Sequence, residues 1–356
     1  MTVRVVELFA GIGAQAEALK ELGIDYTVIA TSDIDKNANI GYQAIHGKVD
    51  NLGDITKIDH LPECDLLTYS WPCTNISVAG KREGMIEGSG TASSLLWEVG
   101  RLLQDMSERG VLPEILVAEN VEAVINKDNK AEFDRWIGIL NQLGYCNSYS
   151  ILDAKDYGTP QNRRRMFMVS TRTMGEFVFP KPCPDGRTLK DILETDVPES
   201  FFLSQDKVDM FKDYKENDRG KSNKFQRREL MRGGIPDLEN GDCKAFLTPG
   251  RTYKAINGTR CKKDDVAFTI TKEVDGILQK EHGSMRIRYF TPRECLRLQS
   301  FPDEAIDRLY GVLSKSALYK VAGNTIAVCC LKAIFKGIFI DRSFRKDRQT
   351  LLEAWL

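Results

Sequence analysis

The stretch VRVVELFAGIGAQAEALKEL, residues 3–22, decides the fold. Val5-Val6-Glu7-Leu8-Phe9 reads as a strand, Gly11 and Gly13 follow, and Ala16, Leu19 and Leu22 recur at helical spacing until Gly23 offers a stop. A strand that turns through glycine straight into a helix is the first half of a parallel-sheet unit. The alternation continues to about Thr173, with strand-like runs at 26–31, 65–69, 115–118, 148–152 and 166–170 and helical patterns at 95–106 and 133–143, the second closed by Gly144. Regular alternation predicts an α/β fold, a doubly wound and mostly parallel sheet covered on both faces.

Past Phe179 the character changes. Pro180, Pro182 and Pro184 punctuate the chain, and a polar stretch of poor periodicity runs to about Gly283. It carries two basic runs, one of Lys215, Arg219, Lys221, Lys224, Arg227, Arg228 and Arg232 and one of Arg251, Lys254, Arg260, Lys262 and Lys263. Most such runs are solvated faces. Apolar periodicity returns at Tyr289 and ends in an expected helix over 327–339. The sequence therefore predicts one body from residues 1–180 plus 320–356 and a second, smaller one from 181–319.

The chain has 356 residues, 42% of them hydrophobic, which is enough for about two cored domains. Its net charge of −1 gives no hint of a polyanionic partner, so any nucleic-acid surface must come from local clustering. Nine cysteines without a C-x-x-C pair and three histidines fit neither a disulfide framework nor a zinc site. No metal is expected. Met1-Thr2-Val3-Arg4 leads into a strand without a signal peptide, and no apolar stretch reads as long enough to span a bilayer, so a cytoplasmic protein with no membrane partner is expected.

Four motifs carry chemistry. In Phe9-Ala10-Gly11-Ile12-Gly13, glycines let the backbone turn tightly and approach a ligand at a helix N-terminus. About twenty residues on, Asp33 and Asp35 follow the second strand, where a carboxylate can accept ribose hydroxyls. This is a nucleoside-cofactor signal, and Gly11, Gly13 and Ala16 also satisfy the dinucleotide pattern G-x-G-x-x-A. Trp71-Pro72-Cys73 follows a strand end and precedes a glycine-rich segment, 79–94, suited to a lid. A lone cysteine is usually a small buried hydrophobe, but the carboxyl ends of sheet strands are where open α/β folds place their sites. Ala118-Glu119-Asn120-Val121 puts a carboxyl group at another strand end, fit for acid catalysis or simply an N-cap. Gln161, Arg163 and Arg165 share one face if extended, and guanidinium groups so aligned can clamp a phosphate or a carbonyl.

Together these motifs resemble the DNA cytosine-C5 methyltransferase family, bacterial or phage type. Phe9-x-Gly11-x-Gly13, Pro72-Cys73, Glu119-Asn120-Val121, Gln161-x-Arg163-x-Arg165, Thr291-Pro292-Arg293-Glu294 with Arg297-Leu298-Gln299-x-Phe301-Pro302, and Gly323-Asn324 stand in the family's order and approximate spacing. The resemblance covers about residues 4–173 and 288–335. It implies a class I, Rossmann-like catalytic domain, with a target-recognition domain and hinge in 181–319 that reads the major groove of double-stranded DNA. It implies S-adenosylmethionine as methyl donor, leaving as S-adenosylhomocysteine. Cys73 is then the nucleophile toward cytosine carbon 6, Glu119 the acid at ring nitrogen 3, and Arg165 with Arg163 the ligands of the carbonyl oxygen and a flanking phosphate. The target base is flipped out under the lid, with Ser77 near its phosphate and Asn120 and Gln161 on the substrate side.

For the cofactor the resemblance assigns Phe9, Ala10, Gly11, Ile12 and Gly13 to the methionine portion and adenine face and Asp33 to the ribose. Ile34, Asp54 and Ile55 fall to the adenine, and Pro72, Leu95 and Asn324 complete the pocket. Two departures stand out. Ile34 occupies a position where relatives often carry an aromatic, which weakens adenine stacking, and Thr74-Asn75 replaces a common Gln-x, which puts local lid contacts in doubt. The expected molecule is a monomer in the bacterial cytosol or a phage-infected host, an orphan, phage or restriction-modification methylase whose cognate endonuclease, where one exists, acts separately.

Three rivals remain at this stage. A transfer-RNA cytosine-5 methyltransferase shares nearly all the motifs, with Ala267-Phe268-Thr269 standing where that branch has Cys-Phe-Thr. An NAD-dependent dehydrogenase would rest on G-x-G-x-x-A alone and leave the other motifs unexplained. A catalytically silent DNA-binding protein would have no use for Cys73, Glu119 and Arg165.

Overall fold

The structure, a computed structural model, describes residues 2–74, 76, 84–206, 243–247, 260–261, 267, 276–281 and 284–345. Its main sheet has six strands: β1 (Val3–Leu8), β2 (Tyr26–Ser32), β3 (Leu66–Tyr69), β4 (Ile115–Val121), β5 (Cys146–Asp153) and β6 (Arg164–Thr171), in the order β2-β1-β3-β4-β6-β5. Neighbours from β2 to β4 pair in parallel, whereas β6 runs antiparallel to both β4 and β5. The mostly parallel sheet is therefore found, with one reversed strand that periodicity does not announce. Because β6 is reversed, its beginning lies beside the end of β4: Arg165 pairs in register with Val121, and Glu119 with Phe167.

Successive strand residues face opposite sides, so each strand feeds two cores. Val5, Leu66, Ile115 and Phe167 pack on one side, and Val6, Leu67, Leu116 and Met168 on the other, all 3% exposed or less. Fully burying each such side chain contributes about 1.5–3 kcal/mol. The second core is closed by α3 (Leu96–Glu108) and α4 (Lys130–Gln142), where Trp97 and Trp136 meet edge to face at 6.3 Å. The first is closed by α1 (Ala14–Glu21), by α2 (Lys36–His46), capped through Asp35, and by the C-terminal helices.

Those helices are α5 (Pro292–Leu298), α6 (Asp303–Tyr310), α7 (Lys315–Asn324) and α8 (Val328–Phe335). Arg308 of α6 donates to the Ile45 carbonyl at 2.8 Å, and Lys332 of α8 pairs with Glu21 of α1 at 2.6 Å. The expected domain boundary at 319/320 thus falls inside α7. One expectation is corrected: Lys315–Ile340 is long and apolar enough by composition to cross a membrane. The run is broken by extended backbone at Thr325 and Ala327, and its most apolar part is mainly buried against the protein's own core, which accounts for its hydropathy.

A short strand β7 (Glu176–Phe177) is later joined by β12 (Phe344–Arg345), which ties the C-terminal segment to β6's neighbourhood. Between them lies a second, antiparallel sheet of β8 (Cys243–Leu247), β9 (Arg260–Cys261), β10 (Gly276–Glu281) and β11 (Ser284–Tyr289), ordered β11-β10-β8-β9. The sequence's alternation does not reveal these strands. Two joints fasten this region to the main body. Arg288 forks onto buried Glu294 at 2.8 and 2.7 Å, while Ala267 exchanges backbone hydrogen bonds with Pro160 and Asn162. The first basic run lies outside the described residues, as does the second apart from Arg260, a strand residue.

Candidate active site

The carboxyl ends of β1, β2, β3 and β4 and the beginning of β6 open onto one cleft of about 340 Å³, a size typical of small-molecule sites. One end is made by backbone. Phe9, Gly11 and Gly13 all adopt positive φ, at 56°, 58° and 77°, which carries the chain from β1 into α1 in a tight arc. A Cβ on Gly11 would meet nothing within 4 Å, leaving room at the cleft wall, whereas one on Gly13 would stand 2.5 Å from His46 Nε2 and 2.7 Å from Tyr42 Cε2. Gly11 thus serves the cleft, and Gly13 serves the packing of α1 on α2.

Asp33 is drawn into that arc. Its Oδ2 accepts from the Gly11 N–H and its Oδ1 from the Asp35 N–H, each at 2.8 Å. Burial pushes its carboxyl pKa upward, against those two hydrogen bonds. Ile34 projects at the rim, 77% exposed, and Asp54 and Ile55 line the same wall, with Asp54 Oδ1 accepting from the Thr56 N–H and hydroxyl. Leu95, Pro72 and Asn324 line it too, along with Val321, Gly323 and Thr325 from the far end of the chain. Of the expected cofactor residues, Ala10 and Gly13 are outside the lining; Ala10 is buried and donates its N–H to Ser32. An open glycine arc, a buried carboxylate and an exposed apolar rim in a cleft of this size fit a nucleoside carrying an amino-acid tail.

The other end is made by side chains. Cys73 follows β3, and the residues before it are each tied down. Ser70 Oγ donates to Glu119 Oε2 at 2.5 Å, the Trp71 carbonyl accepts from Asn120 Nδ2 at 2.9 Å, and the Pro72 carbonyl accepts from Ser93 Oγ at 2.9 Å. Glu119 is buried and its Oε1 stands 3.2 Å from Arg165 Nε. Burial and the nearby Glu119 raise the Cys73 thiol above its ordinary pKa, while Arg165 and Arg163 pull it down.

Arg163 lines the cleft but spends its guanidinium on the C-terminal segment, donating to the Thr325 carbonyl at 2.7 Å and the Gly323 carbonyl at 3.3 Å. Burial, with Arg165 beside it, lowers its pKa to about 9. Gln161 is fully buried away from the cleft, its amide donating to the Leu298 carbonyl at 2.7 Å. Alternation puts it on the arginines' side of the chain, yet the fold uses it as a fastener. Ser77 and Asn75 lie outside the described residues, as do positions 79–83 of the expected lid. The rest of that segment is anchored, with Met85 buried and its carbonyl accepting from Trp97 Nε1 at 2.5 Å. Among the described residues no group of three or more His, Cys, Asp or Glu could hold a metal ion. Sequence reasoning missed Ser70, because a serine after a strand looks like any turn residue.

A family model described as C-5 cytosine-specific DNA methylase matches residues 3–339. The type II methyltransferase M2.ScrFI of Lactococcus lactis subsp. cremoris is 28% identical, over 95% of this chain and 99% of its own length. The orphan methyltransferase M.SPBetaI of Bacillus phage SPbeta is 30% identical, over 94% and 97%. Among solved structures, S. pombe Dnmt2 methyltransferase matches with a TM-score of 0.62 at 18% identity, over 96% of this chain and 99% of that one. Entamoeba histolytica methyltransferase EhMeth does so at 0.62 and 17%, with 96% and 99% covered. At those identities the structural likeness is one of fold.

Proposed function

The chain belongs to the C-5 cytosine-specific DNA methylase family, and from that premise we propose that Cys73 attacks the target cytosine while Glu119 and Arg165 manage the charge this creates. The reaction is methylation of carbon 5 of cytosine in DNA, and the family favours it over the transfer-RNA, dehydrogenase and silent-binder readings. Bound S-adenosylmethionine supplies an electrophilic methyl group on its sulfonium. Phe9, Gly11, Ile12, Asp33, Ile34, Asp54, Ile55, Pro72, Leu95 and Asn324 line the end of the cleft that would hold it, with the Asp33 carboxylate suited to ribose hydroxyls.

Cytosine carbon 5 is a poor nucleophile. Addition of the Cys73 thiolate at carbon 6, with a proton from Glu119 to ring nitrogen 3, turns the ring into an enamine whose carbon 5 can accept the methyl group. Transfer of the carbon 5 proton to water, breaking of the Cys73–carbon 6 bond with its electron pair returning to sulfur, and return of the nitrogen 3 proton to Glu119 restore the neutral aromatic ring, the thiolate and the acid. Arg165, paired with Glu119, also faces the thiol, so one guanidinium steadies the acid and favours the thiolate together. The base must leave the duplex to reach this pocket, at a cost of about a few kcal/mol.

What carries the reading is that Cys73, Glu119 and Arg165, which lie far apart in sequence, line one cleft with the glycine arc. DNA containing 5-fluorocytosine at the target cannot lose its carbon 5 substituent as a proton. The wild type should therefore be trapped as a covalent complex, while Cys73→Ser should stay free. Trapping that survives the substitution sinks the assignment. The same reading makes the protein a monomer without a metal, acting on DNA in the cytosol, with residues 181–319 as recognition unit and hinge; an endonuclease, where one exists, acts separately.

A further inference from the structure

We infer that Ser70 is a positioning residue for Glu119, the group that lets the acid hold its proton between turnovers. The inference deepens the proposed function and rests on it. Glu119 sits between two donors of different kinds: Ser70 Oγ at 2.5 Å from Oε2, and Arg165 Nε at 3.2 Å from Oε1. A guanidinium can only donate, so Arg165 supports the ionised carboxylate more strongly than the neutral acid and cannot accept the acid's O–H. A hydroxyl both donates and accepts. Ser70 can rotate to donate when Glu119 is ionised and to accept the O–H when it is protonated.

The chemistry needs both states. As nitrogen 3 takes the proton, the Glu119 O–H bond breaks and its electron pair stays on the carboxylate; on product release the proton must return. With Arg165 alone the returning proton would find no acceptor for its O–H, a bias toward the ionised form, while Cys73 and Arg163 line the same cleft. Ser70 removes that bias without adding charge. It is also the first of three consecutive residues, 70 to 72, bonded to their surroundings just before Cys73, so the acid and the nucleophile share one stretch of chain.

The test uses the full chain as wild type, Ser70→Ala and Ser70→Thr. The readouts are transfer of labelled methyl groups to unmethylated genomic DNA and binding of S-adenosylhomocysteine. Ser70→Ala should lower kcat about tenfold or more, leave KM for S-adenosylmethionine and S-adenosylhomocysteine affinity within about twofold, and be rescued by Ser70→Thr. An unchanged kcat in Ser70→Ala overturns the inference. So does equal impairment of the alanine and threonine variants with cofactor affinity intact, since the hydroxyl is then irrelevant. Lost S-adenosylhomocysteine binding in Ser70→Ala overturns it too, by assigning the residue to the fold. No transfer by the wild type would instead overturn the parent reading.

Discussion

The two ends of the cleft are built by different means. At the cofactor end the shape comes from backbone: a glycine arc with three residues at positive φ and a carboxylate whose hydrogen bonds go to backbone N–H groups. At the chemical end it comes from side chains braced against one another and against carbonyls, as in Ser70 with Glu119, Asn120 with Trp71 and Arg163 with Thr325. A backbone-built site tolerates side-chain changes that keep φ and volume. A side-chain-built site loses function when a single polar group is removed, because its neighbours are left buried and unpaired.

Substitutions at the two ends should therefore separate affinity from turnover. The largest effect is expected for Glu119→Gln, which cannot supply the proton: turnover should fall about 10²- to 10⁴-fold while S-adenosylhomocysteine still binds. Unaltered turnover would refute the acid role. At the other end, Gly13→Ala forces a Cβ into His46 and Tyr42 and should destabilise the fold by about 1–3 kcal/mol. Gly11→Ala meets open space and carries mainly the left-handed backbone cost, about 1–2 kcal/mol. Denaturant titration with and without S-adenosylhomocysteine would tell them apart: the ligand should rescue Gly13→Ala and lose its grip on Gly11→Ala, and the reverse pattern would break the division.

A last effect, which depends on pH, concerns Glu7, wholly buried on β1, with neither carboxyl oxygen in a hydrogen bond of normal geometry. Burial raises its pKa from 4.5 to about 8. Between those values the folded chain holds a proton that the unfolded chain has lost, so this residue's contribution to stability is full below pH 4.5 and falls as pH rises toward 8. Glu7→Gln, neutral throughout, should gain melting temperature relative to the wild type from pH 5 to 8. Parallel melting curves across that range would remove Glu7 from the account.

How much was legible divides along the same line. The strand, glycine turn and helix of residues 3–22 announce themselves because period and glycine position are local properties. The cleft's chemical residues were found through their motifs, at strand ends where the fold exposes them. What the sequence hid is direction and distance. Nothing in residues 164–171 says that their strand runs backwards, yet that reversal is what brings Arg165 to Glu119. Arg163 lines the cleft while bonded to Thr325, and Gln161 is bonded to Leu298 away from it, partners more than 130 positions distant that no local pattern announces. The second sheet escaped notice because it lies in a polar, strongly charged stretch, although Ser284–Tyr289 alternates polar and apolar residues over six positions.

The wall formed by Val321, Gly323, Asn324 and Thr325 has a consequence for timing. The glycine arc leaves the ribosome more than 300 residues before that wall does, which at about 5–20 residues per second is roughly 15–60 s of synthesis. For about the last 200 residues of that interval the nascent chain carries Cys73 and Glu119, the proposed nucleophile and acid, beside a pocket with one side missing.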